Sequence, residues 1–188
     1  MTGTHERRSL PEKVLAIDES LKNSRIAHAF GGALALAYYA EPRVTIDIDV
    51  NVFVAADQFE IVAEALEPLG VNTDIDAFAL NRDGQCRLKW DRTPVDLFFS
   101  YAELHAAMRQ ATRRVPFADS TIPILSPDHL MVCKAFFDRP KDWIDIEQMM
   151  LVAEGLHREE IERWIGEITG DNSENLIRFR ALANDLLG

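Results

Sequence analysis

The sequence predicts an α/β protein: a small mixed sheet flanked by helices, with a further helical layer in its carboxyl-terminal third. Three observations carry this. Residues 44 to 54, and the paired runs QCRLKW and PVDLFFS, alternate apolar and polar side chains with the period of strands. An apolar run from Arg25 to Phe30 breaks at Gly31-Gly32 and resumes with helical character. Beyond Ser126-Pro127 the apolar residues keep helical spacing to the end of the chain.

The elements follow in order. Residues 11 to 23 carry an apolar stripe of Val14, Leu15, Ile17 and Leu21 and end at Asn23-Ser24, which predicts a helix. A short strand over 25 to 30, the glycine turn, and a helix over ALALAYYA that closes at Glu41-Pro42 come next. The clearest strand is 44 to 54, with Thr45, Asp47, Asp49 and Asn51 on one side and Ile46, Ile48, Val50 and Val52 on the other. Residues 56 to 68 form a helix stopped at Gly70. QCRLKW and PVDLFFS, joined by the polar DRT, form a hairpin with Asp96 inside its second strand. A helix over 102 to 110 precedes RVPFADSTIPILS, an extended segment whose prolines limit its pairing. Ser126 then caps a helix with Pro127 at its first position, running to about 138. Pro140 restarts the chain as a helix to about 153, and amphipathic segments over 158 to 168 and 173 to 187 complete the layer. We divide the chain into a core, 1–125, and a helical region, 126–188, packed on it.

Composition bounds the chemistry. The 188 residues suffice for one domain, and 47% hydrophobic with 27% charged residues is ordinary globular usage. The net charge of -11 repels polyanions and argues against broad, sequence-independent duplex DNA binding, while leaving room for a local phosphate site. Cys86 and Cys133 are expected to be free and buried, and the five histidines show no zinc-ligand spacing. The start, MTGTHERRSLPEKV, lacks a signal-peptide core, and no apolar stretch approaches the roughly 20 residues that span a bilayer. A cytoplasmic protein is expected.

Asp-Ile-Asp occurs twice, at 47–49 and at 74–76. In the first copy a strand would place Asp47 and Asp49 side by side, where their repulsion calls for a cation; oxygen-only ligands suit Mg²⁺ or Mn²⁺. The alternative is a solvated pair on an edge strand. Asp96 is open to the same two readings, and Gly31-Gly32 is either a phosphate-approaching turn or a plain one. The second copy runs into the Asn81 to Gly84 turn, and Asp74 and Asp76 are expected at a solvated strand end or loop. Arg43 could orient a carboxylate or phosphate, or simply be a surface residue. His28 is expected to be a hydrogen-bonded core residue, and Trp90, Trp143 and Trp164 packing residues.

The ordered combination AHAFGGALALAYYAEPRVTIDIDV followed by PVDLFF resembles the nucleotidyltransferase superfamily that includes DNA polymerase β, especially its AbiEii-type toxin branch. The resemblance covers about 26 to 100 and, more faintly, the helices to about 146. It implies that Gly31 and Gly32 hold a nucleoside triphosphate, that Asp47 and Asp49 bind the metal, and that Asp96 completes the catalytic and metal-binding set. LMVCKAFFDRPKDWIDIE resembles the toxin branch's lysine helix and acidic stretch: Lys134 would meet a phosphate, and Asp142 would hold the lysine or the acceptor, whereas Asp145 is read as a solvated ion-pairing residue. The commoner superfamily pattern has serine where this chain has Gly32.

The implied reaction transfers a nucleoside monophosphate to an acceptor hydroxyl on tRNA or another RNA, a protein, or a small molecule, with an antitoxin protein as partner if the chain is a toxin component. The rival readings are an antibiotic-modifying enzyme, which a cleft with aromatic and acidic lining beside Asp96 would favour, and a non-catalytic nucleotide- or partner-binding protein. Three retained aspartates argue against the last.

Overall fold

The computed structural model describes residues 8–187; His5 and the first seven residues of the amino-terminal stretch lie outside them. The chain runs α1 (Leu10–Asn23), β1 (His28–Phe30), α2 (Gly32–Leu36), β2 (Ile48–Val52), α3 (Phe59–Leu66), α4 (Ala77–Asp83), β3 (Gln85–Trp90) and β4 (Thr93–Phe99). It continues as α5 (Glu103–Gln110), β5 (Arg113–Phe117), β6 (Ser120–Ile124), α6 (Pro127–Phe137), α7 (Pro140–Val152), α8 (Arg158–Thr169) and α9 (Glu174–Leu187). Single 3₁₀ turns flank α3 at Ala56–Gln58 and Glu67–Leu69, and Gly70 ends that unit in the left-handed region, as expected of a helix-stopping glycine.

One mixed six-stranded sheet, ordered β3-β4-β2-β1-β6-β5, organises the molecule. β2 pairs parallel with β4 and antiparallel with β1; β1 pairs parallel with β6 at Phe30 and Ile124. The sheet is apolar on one face, where Ile48, Val50, Val52, Val95, Leu97 and Phe99 are all buried. α3 covers that face, with Phe59 tilted against the Phe99 ring at 6.2 Å. The opposite face carries Asp49, Asp96 and Phe98, and α6 approaches it through Phe137, whose ring meets Phe98 edge-on at 5.7 Å. α6 to α9 pack on one another, and α6 also touches α2.

Four expectations need correction. The strand over 44 to 54 shortens to β2: before Ile48 neither β1 nor β4 supplies a partner, so residues 43 to 47 run as an unpaired loop and Val44 and Ile46 are exposed instead of core-facing. The helix over ALALAYYA is only α2 followed by a turn. Where a turn is expected over Asn81 to Gly84, the chain forms α4, which begins at Ala77, and Asp76 is its N-cap, accepting from the N–H groups of Phe78 and Ala79. The segment RVPFADSTIPILS is a β5–β6 hairpin; its prolines are accommodated because β5 is a sheet edge and β6 meets β1 only at its end.

The strand expected over 25 to 30 is only β1, while other expectations match the structure. Asp138 is in the left-handed region between α6 and α7, and Pro140 is the first residue of α7. His28 is buried, its ring nitrogens bonded to the Ile26 carbonyl at 3.0 Å and Asp18 at 3.1 Å. All three tryptophans are buried, and both cysteines are free though only partly buried. Among the described residues no helix is long and apolar enough to cross a membrane.

Candidate active site

Asp49 and Asp96 are register partners on adjacent parallel strands, so their side chains leave the sheet on the same face. Both strands are interior, which removes the edge-strand reading of this pair. Asp47 lies two residues before Asp49 in the loop that enters β2; its N–H donates to the Thr45 hydroxyl at 3.2 Å, a bond that shapes the lead-in. Gly31 and Gly32 sit opposite at the β1–α2 junction, where the Gly31 N–H donates to the Asp49 carbonyl at 3.0 Å. Gly32 has a φ of +53°, and a Cβ built on it would fall inside the Asp49 carboxylate. That close approach explains glycine at a position where a serine would collide. As the first residue of α2, Gly32 also has an N–H outside the helix's own hydrogen-bond ladder.

Burial, reinforced by Asp96 and Asp47, pushes the Asp49 carboxyl up to about 6, against the opposing pull of Lys134 and Arg139. Asp47 and Asp49 offer oxygen donors only, and the raised Asp49 carboxyl marks a place where a cation would offset carboxylate repulsion. This fits a hard divalent cation at Asp47 and Asp49. Asp96, however, is turned toward Arg87, which donates Nε and Nη2 to its two carboxylate oxygens at 2.7 Å each. Among the described residues, the one acidic or histidine trio with ligand atoms all within 4.8 Å of one another is Asp128, His157 and Glu160, near the start of α8. There Asp128 accepts from the His157 backbone N–H and contacts its ring, tying α6 to α8.

The second cluster comes from α6 and α7. Lys134 is buried and its Nζ donates to Asp145 at 2.6 Å, with Asp142 farther away at 3.9 Å. Asp142, fully buried, accepts from the Arg139 backbone N–H at 3.2 Å and its Nε at 2.6 Å, closing the first turn of α7. Asp145 also receives Arg43 Nη2 at 3.2 Å. Asp145 is thus the lysine's near partner, not a solvated residue, and Arg43 orients a carboxylate.

A cavity of about 340 Å³ lies between the sheet face and this cluster. Gly31, Gly32, Asp47, Asp49, Asp96, Lys134 and Asp142 all line it. Other residues line it too, several of them outside the motifs read from the sequence. Arg87, Asn51 and Arg139 add polar groups; Phe98, Tyr101, His105, Met108 and Phe137 form an apolar flank on the Asp96 side. The Tyr101 and His105 rings meet at a tilt of 57° with centroids 4.6 Å apart, and burial lowers the His105 pKa.

No family model matches the chain, and no curated protein does. Solved structures do. ANT(2'')-Ia in complex with adenylyl-2''-tobramycin superposes with a TM-score of 0.60 at 14% identity, over 91% of this chain and 97% of that one. The fold is that of a nucleotidyltransferase. A nucleotidyltransferase-like protein from Paracoccidioides brasiliensis gives 0.56 at 17% identity, over 94% of this chain and 88% of that one. The lincosamide antibiotic adenylyltransferase LnuA, solved with lincomycin bound, gives 0.52 at 15% identity, over 73% of this chain and 95% of that one. In this nucleotidyltransferase fold the cavity falls where β2 and β4 bring Asp49 and Asp96 into register.

Proposed function

We propose that the protein transfers a nucleoside monophosphate from a nucleoside triphosphate to a hydroxyl of a small-molecule acceptor. The observation that carries this reading is the in-register Asp49–Asp96 pair on interior strands, with Asp47 and the Gly31-Gly32 turn lining the same cleft. Asp47 and Asp49 would hold Mg²⁺ or Mn²⁺. When bound, such an ion neutralises negative charge gathering on the phosphate oxygens.

The chain's own residues account for the remaining steps. Gly32 lets backbone come close to the triphosphate because no side chain intervenes. Asp96 accepts the proton of the acceptor hydroxyl as its oxygen bonds to the α-phosphorus. The bond from that phosphorus to the bridging oxygen breaks, and pyrophosphate leaves. Lys134, held between Asp145 and Asp142, supplies a fixed positive charge to the phosphates from the helical side of the cleft. Asp142 positions that side of the site by fixing Arg139 and the start of α7.

The flank beside Asp96 supports this choice of acceptor class. Phe98 shares the Asp96 face of β4, and Tyr101 and Phe137 extend an aromatic wall from it, while Asp83 adds an acid to the lining. An aromatic wall of this kind suits a compact organic molecule better than a polyanionic RNA, which the net charge of -11 also repels. Two of the structural neighbours are antibiotic-modifying proteins, and this favours the same acceptor class. A toxin component with an antitoxin partner is the second reading, favoured by the buried Lys134–Asp145–Asp142 cluster in the segment that resembles the toxin branch.

The test is incubation with each nucleoside triphosphate labelled at the α-phosphate, Mg²⁺, and a panel of hydroxylated antibiotics, tRNA and candidate proteins. Label should move to a small molecule. Label on tRNA or protein alone would establish the toxin-like reading instead. Tight nucleotide binding with no label transferred to any member would favour the non-catalytic one.

A further inference from the structure

Arg87 has no motif to announce it, yet it lies in the same row across the sheet as the two strand-borne aspartates. The register runs from Arg87 on β3 to Asp96 on β4 to Asp49 on β2. Both oxygens of Asp96 are engaged by the Arg87 fork at 2.7 Å, a charge-assisted pair of the strongest geometry. The two partners differ in freedom. The Asp96 side chain is 15% exposed and held by an interior strand, whereas that of Arg87 is 60% exposed on an edge strand, with solvent to move into.

We propose that Arg87 is a latch on Asp96: it holds the third carboxylate in the metal-free protein and releases it when a divalent cation occupies Asp47 and Asp49. The inference rests on reading those two aspartates as cation ligands. Its physical basis is competition between cations. A guanidinium gripping both oxygens turns the charge of Asp96 toward β3, and a second cation beside Asp49 meets the repulsion of Arg87 until the guanidinium leaves. Release exchanges this bidentate pair for water around Arg87, whose side chain is 60% exposed, and for a cation beside Asp96. Arg87 is thus a positioning residue that couples the readiness of Asp96 to cation occupancy.

Loss of any nearby positive charge would strengthen cation binding somewhat, so the test needs a charge control. Lys89 is two residues along β3, on the same face, exposed, and in register with Pro94 instead of an acid. Mn²⁺ binding is measured by electron paramagnetic resonance, without nucleotide, for the wild type, Arg87→Met, Lys89→Met, Asp96→Asn and the Arg87→Met/Asp96→Asn double variant. Arg87→Met should bind Mn²⁺ about three- to tenfold more tightly, Lys89→Met should stay within about twofold of wild type, and Asp96→Asn should erase the gain. Unchanged or weaker binding by Arg87→Met, or an equal gain in Lys89→Met, overturns the latch. If neither the wild type nor Arg87→Met binds Mn²⁺, the reading of Asp47 and Asp49 fails and the latch with it. A second readout needs no variant at position 87. In the wild type the Arg87 Nε–H nuclear magnetic resonance signal should shift on adding Mg²⁺, and a signal unmoved at saturating Mg²⁺ contradicts release.

Discussion

Asp49 is the residue where folding and chemistry pull against each other. Its carboxyl, at about 6 in the metal-free protein, lies above the ordinary carboxylate value of 3.8 because burial and two neighbouring acids disfavour its charge. A raised acid pKa means that the fold prefers the protonated form. This contribution to stability is complete below about pH 4 and is lost as pH rises through 6. With chelator present, Asp49→Asn should therefore exceed the wild type by about 1–2 kcal/mol near pH 8, with the advantage vanishing toward pH 4. Thermal melts across that range check it. Lys134 is the reverse case. Its removal in Lys134→Met leaves Asp145 and Asp142 buried beside one another, with only Arg43 and Arg139 to compensate. We expect a loss of about 3 kcal/mol in urea unfolding, so a fall in activity must be measured well below the melting temperature.

At the scale of elements, the two Asp-Ile-Asp copies separate by their surroundings. The first enters an interior strand; the second ends in the N-cap of α4. Asp76→Ala should cost about 1 kcal/mol through the lost cap and leave nucleotidyl transfer intact, and Asp74→Ala should alter neither. Denaturant unfolding and the transfer assay together check this. The strand alternation, the glycine turn and the proline-marked helix starts were legible because each has a local cause: a side-chain period of two, a missing Cβ, a fixed φ. α4 was not, since Leu80 is its one buried residue and an amphipathic stripe is missing. The length of β2 was not either, because a strand ends where its partners end, and partners are set by tertiary structure. Arg87 was within reach. A two-residue turn at Asp91-Arg92, instead of the three-residue DRT, places it opposite Asp96 by counting back along the hairpin. Asp145 could not be told from a surface acid, because only the packing of α7 on α6 buries it.

At the scale of the whole molecule, the sheet presents carboxylates on one side of a cleft and α6 and α7 present Lys134, Arg139 and Lys141 on the other. On the proposed function these basic groups would face the triphosphate, within a protein whose net charge is -11. The aromatic flank formed by Phe98, Tyr101 and Phe137 lines the cleft beside Asp96. Two halves with opposite chemistry make sense for a reaction that brings a polyanion to an organic hydroxyl. The most direct test is pyrophosphate release in the presence of Mg²⁺, nucleoside triphosphate and a labelled acceptor, for the wild type, Asp47→Ala and Asp49→Ala. The wild type should release pyrophosphate and each variant should fall by about a hundredfold or more, all three remaining folded by circular dichroism. Equal release by all three proteins would contradict the proposed function.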